Sequence, residues 1–248
     1  MLTEERHARI MEALSRQKSV SLAELCKLLD ASESTVRRDL FALDESGLLT
    51  KVRGGAIAIG ESYSTAEHNI EEKAGLFVEE KTAIARYAAS LIEDGDFIFL
   101  DAGTTTEKMV QFIPSRSVTF VTNAFITAKE LASRGFRVLI TAGEVKASTE
   151  AIVGTGAVLT INHYNFTKCF MGTNGISVHG GFSTPDKSEA HVKETAILRS
   201  REVYVLADHS KFGKVTANMF ADLSKAKIIT DKVTTKKNMS QADIKEVL

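Results

Sequence analysis

Ser32-Glu33-Ser34-Thr35-Val36-Arg37-Arg38-Asp39-Leu40, followed closely by Lys51-Val52-Arg53-Gly54-Gly55-Ala56, decides how this chain is read. Ser32 is placed to cap a helix. At roughly 100° per residue, Val36, Leu40 and Leu43 fall within one narrow arc and form the buried stripe. Ser34, Arg38 and Glu45 fall opposite, with Arg37 and Phe41 flanking. From Leu48 to Ile59 the pattern alternates around Gly54-Gly55, which predicts a β-hairpin.

Upstream, two more helices are expected. One covers about residues 4–16, with apolar Ala8, Ile10, Met11 and Leu14. The next starts from Ser21 as N-cap and buries Leu22, Leu25 and Leu28 or Leu29; Asp30-Ala31 makes the turn. The third helix ends near Gly47. Helix, turn, capped helix and basic Gly-rich hairpin together describe a winged helix-turn-helix. An Arg pair alone is more often a solvent-facing feature of an amphipathic helix; the joint pattern is more specific. Ser32, Ser34, Thr35, Arg37 and Arg38 are placed to meet the major groove, where Arg pairs with guanine. Arg38 is favoured as the base reader. Lys51 and Arg53 on the wing are expected on backbone or minor groove. Phe41 fits this face poorly: it touches a thymine methyl or packs on the second domain.

Charge does not make the case by its sum. The whole chain carries a net charge of −1. Residues 1–58 hold nine Lys/Arg and nine Asp/Glu, so that segment is neutral. Position matters instead, because most acidic residues lie away from Arg37-Arg38 and Lys51-Arg53. The chain has 248 residues, is 44% hydrophobic and 25% charged, and is ordinary globular material. No apolar run approaches the ~18 residues of a membrane span, and the charged start lacks a signal-peptide core. A cytoplasmic protein is expected, with no membrane partner. Cys26 and Cys169 lie far apart without a C-x-x-C, and the six His lack ligand spacing, so neither a metal nor a cofactor is expected.

The remaining sequence is too long for the helix-turn-helix alone. Residues 60–72 are polar and read as a linker, giving a DNA-binding domain at 1–58, a linker at 59–75 and a second domain at 76–248. Helical periodicity returns from about Val78 to Ile92. Strands are expected at Phe97–Leu100, Val118–Thr122, Arg137–Thr141, Lys168–Gly172, Glu202–Leu206 and Ala226–Ile229. Helices at Thr105–Phe112, Ala124–Ser133 and Ser188–Arg199 alternate with them, which predicts an open, largely parallel α/β sheet. Four polar clusters follow strands: Asp101 to Thr106, Thr122-Asn123, Gly172 to Gly175, and Asp208 to Lys214. Ligands bind outside the carboxyl ends of such strands. Gly103 is expected to turn N–H groups toward one point, with hydroxyls from Thr104 to Thr106 and an opposing cation from Lys211. Each cluster alone is more often a turn or a cap. Together they suit a phosphorylated, hydroxyl-rich small molecule.

Residues 1–57 resemble the helix-turn-helix of the DeoR family of bacterial transcriptional regulators. The likeness is carried by Ile10, Leu14, Leu22, Leu25, Ser32 to Leu40, Leu43, Gly47 and Arg53-Gly54-Gly55-Ala56. Family members often have His at the place of Arg53. The resemblance continues through Glu80-Lys81, Asp101-x-Gly103-Thr104-Thr105, Val121-Thr122-Asn123, Gly172 to Ile176, Gly181 to Pro185, Glu189-Ala190 and Leu206 to Gly213. It implies a C-terminal sugar-phosphate sensor related in fold to ribose-5-phosphate isomerase. It also implies that Asp101, Gly103, Thr104, Thr105, Asn123, Gly172, Asn174 and Lys211 line the effector pocket. Thr141-Ala142-Gly143-Glu144 departs from the family's Gly-Gly pattern, so Glu144 either points away or binds sugar hydroxyls. The opening Met1 to His7 and residues 31–40 are most similar to fructose operon repressors, which implies fructose 1-phosphate as effector. A homo-oligomer on operator DNA is expected because two-fold half-sites call for paired recognition helices.

An enzyme is the rival reading, because a pocket with Asp101, Asp208, Glu144 and Lys211 can move a proton on a sugar phosphate. No Ser-His-Asp spacing, G-x-S-x-G or P-loop supports it. A ligand-controlled repressor of a sugar-utilisation operon is the simpler account. Regulation of another carbohydrate pathway is the alternative.

Overall fold

The structure, a computed structural model, describes residues 2–17, 19–46, 48–52, 54–58, 62–64, 69–114, 117–178, 180–233 and 242–248. Arg53 and Gly47, singled out above, lie outside the described residues, as does part of the expected linker. The chain divides into two compact units, with the boundary between Ser62 and Tyr63.

The first unit contains α1 (Thr3–Gln17), β1 (Ser19–Ser21), α2 (Leu22–Leu29), α3 (Glu33–Glu45), β2 (Leu49–Val52) and β3 (Gly55–Ala58). Local sequence explains each boundary. Ser21 caps α2 through a reciprocal capping box with Glu24, and Asp30 closes it in the left-handed conformation at φ 47°. Ser32 caps α3 by accepting the N–H of Thr35. Ile10, Leu14, Leu25, Leu29, Val36, Leu40 and Leu43 meet in one core, so the expected buried stripe of α3 is the observed one. Leu29 rather than Leu28 takes the inner position of α2.

The wing carries an additional strand. β1 joins the hairpin in the order β1-β3-β2, antiparallel throughout. Three residues are too few to show alternation in sequence. Gly55 makes the pairing possible: a Cβ there would sit 2.2 Å from the Val20 carbonyl oxygen. A second feature also escaped sequence reading. Asp39, on the recognition helix, is buried and takes two hydrogen bonds from the Arg6 guanidinium of α1, at 2.6 and 2.9 Å. That pair locks α1 to α3.

The boundary falls within β4 (Ser62–Ser64), and the second unit goes on with α4 (Ile70–Gly75) and α5 (Val78–Ser90). It continues through β5 (Phe97–Leu100), α6 (Thr104–Glu107), β6 (Thr119–Thr122), α7 (Phe125–Ser133) and β7 (Arg137–Ile140). β8 (Glu144–Lys146), β9 (Ala151–Val153), α8 (Thr155–Asn162), β10 (Phe166–Gly172), β11 (Gly175–Ser177) and β12 (Gly181–Thr184) follow. The chain then runs through α9 (Lys187–Leu198), β13 (Ser200–Leu206), β14 (Lys214–Thr216), β15 (Asn218–Ala221), β16 (Lys227–Thr230) and β17 (Asp243–Glu246).

Seven strands form one sheet in the order β17-β16-β13-β10-β5-β6-β7, and every pairing is parallel. All six expected strands are in it, so their carboxyl ends share one edge. The apolar faces of β5, β6, β10, β13 and β16 pack with Ile84, Ala85, Ala88 and Ala89 of α5 and with Leu131 of α7. The helix expected at Thr105–Phe112 differs. It is a single turn, α6, followed by a 3-10 turn at Val110–Phe112. The hairpin β8–β9, the sheet β11-β12-β15, α8 and β17 were not expected.

Candidate functional site

In the first unit the α3 face opposite the core is open. Ser32, Ser34, Arg37 and Arg38 are exposed, and Thr35 is half-buried. The Ser32 hydroxyl lies 3.0 Å from those of Ser34 and Thr35, so three hydroxyls cluster at the helix start. Arg37 is tied to Glu33 one turn earlier, at 3.2 Å. Arg38 has no side-chain partner among the described residues. Phe41 stays 51% exposed on the same helix. Lys51 of the wing places its ammonium 5.6 Å from the centre of that ring. Phe41 of the helix and Lys51 of the wing are therefore in contact. Sequence reading placed both residues but did not pair them, because the contact depends on the turn between α3 and β2.

In the second unit the four clusters meet along the carboxyl edge of the sheet. Asp101 follows β5, Asn123 follows β6, Gly172 ends β10 and Asp208 follows β13 after Ala207. Asp101 is 1% exposed. It accepts the Gly172 N–H at 2.9 Å and contacts the Lys193 ammonium of α9. Burial pushes its carboxyl above the usual range, against the pull of Lys193 and that N–H. Its second oxygen, Oδ1, is buried with no hydrogen-bond partner among the described residues, and so is Oδ2 of Asp208.

Other predicted residues hold the loops in place. Asn123 accepts the Ala102 N–H at 2.9 Å and donates to the Ile152 carbonyl at 3.4 Å, bridging the Asp101 loop to β9. The Asn174 N–H donates to Ser183 O, and its side-chain oxygen lies 3.2 Å from the Thr184 hydroxyl. Thr104 is half-buried and Thr105 buried. Gly103 is extended, at φ 167°, a backbone conformation open to any residue. What it supplies is room: a Cβ there would lie 3.2 Å from the Thr106 hydroxyl, which donates to Gly103 O at 2.8 Å. The brevity of α6 leaves little helix dipole to hold an anion. Positive charge at this edge must come from side chains.

Three lysines supply it. Lys211, predicted, is half-buried, and burial lowers its pKa while Asp208 opposes the shift. Lys81, not predicted, is 3% exposed and donates to the Lys73 carbonyl. Burial brings its pKa down to about 8; Asp208 raises it, and Lys211, Lys108 and Lys73 lower it further. Lys193, also missed, pairs with Asp101. Glu189, one turn before Lys193 on α9, accepts from Thr149 at 2.7 Å and lies 3.1 Å from the Thr184 hydroxyl. Its carboxyl stays below the usual range: burial pushes it up, and Lys193, Thr149 and Lys146 outweigh that. Lys81, Glu189 and Lys193 are inward-facing charges on helices, and a helical wheel with a known inner face is the signal that finds them.

Glu144 is exposed, while Lys146 reaches Asp186 and Glu189 at 3.1 and 3.3 Å. His209 hydrogen-bonds Asp231 through Nδ1 at 2.6 Å and stacks edge-on with Phe77. Glu80, His209 and Asp231 bring oxygen and nitrogen atoms within 4.8 Å of one another, but the His209–Asp231 contact is already a satisfied hydrogen bond. No helix among the described residues is long and apolar enough to cross a membrane.

Comparison with known proteins follows the same division. Residues 6–62 match the DeoR-like helix-turn-helix domain, and residues 76–232 match the DeoR C terminal sensor domain. An uncharacterized HTH-type transcriptional regulator, FruR of Bacillus subtilis (strain 168), is 41% identical, covering 93% of this chain and 91% of that protein. The transcriptional regulator IolR of the same organism is 37% identical over 82% of this chain and 80% of its own length. A lactose phosphotransferase system repressor of Staphylococcus epidermidis is 37% identical, over 90% and 89%. Among solved structures, ribose 5-phosphate isomerase A from Methanocaldococcus jannaschii aligns over 53% of each chain, with 15% identity and a TM-score of 0.40.

Proposed function

We propose, for a chain that belongs to the DeoR family of transcriptional regulators, that a phosphorylated sugar bound at the carboxyl edge of the sheet controls operator binding by the winged helix-turn-helix. It is a regulator and not an enzyme: relatives over most of its length are named as transcriptional regulators or as a lactose phosphotransferase system repressor.

One observation carries the choice of ligand. Two buried carboxylate oxygens without partners, on Asp101 and Asp208, stand at the same sheet edge as the desolvated lysines Lys81 and Lys211. Unpaired buried acceptors are costly, and hydroxyl groups satisfy them. Desolvated ammonium groups are costly too, and a phosphate satisfies those. A hydroxylated phosphate ester fits both halves. In this reading Lys81 and Lys211 take the phosphate with Thr104 and Thr105. Asp101 and Asn174 take hydroxyls, while Gly172, Gly103 and Asn123 shape the loops. Fructose 1-phosphate is the proposed ester, on the likeness of residues 1–7 and 31–40 to fructose operon repressors.

On DNA, Arg38 reads a base edge, and Arg37, Ser32, Ser34 and Thr35 meet phosphates or bases. Lys51 and Arg53 bind backbone from the wing. Paired half-sites call for a homo-oligomer. Isothermal titration of the full-length protein with fructose 1-phosphate tests the pocket. Wild type should bind, Lys211→Ala should bind at least about tenfold more weakly while its DNA affinity is unchanged. Equal ester affinity in both proteins would place the phosphate elsewhere.

A further inference from the structure

We propose that α4 is the element that reads the pocket, clamped at its start by the β8–β9 arm and near its end by Lys81. The inference rests on the pocket being the effector site. α4 has six residues and buries none of them, so it has little stability of its own. Its position depends on its contacts with other elements, and two hydrogen bonds are among them. The Ile70 N–H donates to Ser148 O, at the tip of the arm, at 2.9 Å. The Lys73 carbonyl accepts from Lys81.

Both ties lead into the pocket. Lys81 stands among the residues that face the proposed phosphate. Ser148 precedes Thr149, whose hydroxyl donates to Glu189. Glu189 lies one helical turn from Lys193, and the two attract. Lys193 contacts Asp101. The arm tip is tight: Glu150 sits in the left-handed region at φ 53°, and its N–H closes on the Lys146 carbonyl at 2.8 Å. A shift at Glu189 is therefore passed to Ser148 rather than absorbed in the turn. A phosphate drawing on Lys81 and a hydroxyl drawing on Asp101 and Lys193 loosen the two ends of α4 together. α4 is the first described helix after the DNA-binding unit in chain order, so its release frees the start of the sensor unit. Glu189 is thus a positioning residue, acting through Thr149.

Amide hydrogen exchange of the full-length protein tests this without any ligand. In Thr149→Val and in Lys193→Met, amides of residues 70–75 should exchange about tenfold faster than in wild type, while β10 and β13 keep their protection. Thr149→Ser should restore the wild-type rate. If Lys193→Met strands Asp101 and fails to fold, Asp101→Asn/Lys193→Met removes the stranded charge and is read the same way. Wild-type exchange in α4 of the folded pocket variant overturns the proposal. With fructose 1-phosphate, wild type should show the same acceleration in α4. Calorimetric binding without it also overturns the proposal. Failure of the ester to bind sinks the choice of ligand alone, since the variants still decide the clamp.

Discussion

Lys81 carries the clearest conflict between stability and use. Its pKa of about 8 in the folded chain lies below the ordinary 10.5, so between those values the unfolded chain holds more protons. Stability contributed by this group therefore rises with pH from about 8 to about 10.5, and at pH 7 its charge is a cost. Lys81→Met should be the more heat-stable protein at pH 7, with the gap closing as pH rises through that window in thermal melts. The same variant should lose ester binding. A phosphate beside Lys81 favours its charged form, so wild-type affinity for the ester should fall as pH rises through about 8 in calorimetric titrations. Arg38 is the matching residue on DNA. Arg38→Ala should cost roughly 1–3 kcal/mol of specific operator binding in competition assays. Unchanged operator affinity would mean that α3 lies in the groove in another orientation.

Among the elements, α3 and its wing show how far local sequence reaches. Ser32, Val36, Leu40 and Leu43 declared the cap and buried face, because both are set within one helix. Asp39 did not declare its bond to Arg6, since that partner is 33 residues away. The Arg6 hydrogen bond holds the Asp39 carboxyl below its ordinary value. The stability it gives is present above that ordinary value and is lost as pH falls through the lowered one. Asp39→Asn should flatten this acid-side loss for the N-terminal unit, as followed by circular dichroism. Ser32→Ala should cost about 1 kcal/mol by loss of the cap. In the sheet, the six expected strands were legible as apolar runs between turns. β17 was not, because Asp243–Glu246 is a charged edge strand with no such run. The pocket was legible where polar residues follow strands, as at Asp101 and Asp208. It was illegible where Lys81, Glu189 and Lys193 reach it from helices, because only the packing shows which helical face turns inward.

For the whole molecule, control requires that the ester bind the DNA-free state more tightly than the DNA-bound one; otherwise nothing shifts. A sugar phosphate at 100 times its Kd should stabilise the domain that holds it by about 2.7 kcal/mol. Its effect on operator affinity is limited to the difference between the two states. Fluorescence anisotropy of the full-length protein on DNA from upstream of its own operon, with and without fructose 1-phosphate, measures that difference directly. The account predicts tight binding that is weakened by the ester and ignored by sugars lacking the phosphate. Operator binding that is indifferent to every phosphorylated sugar would contradict it.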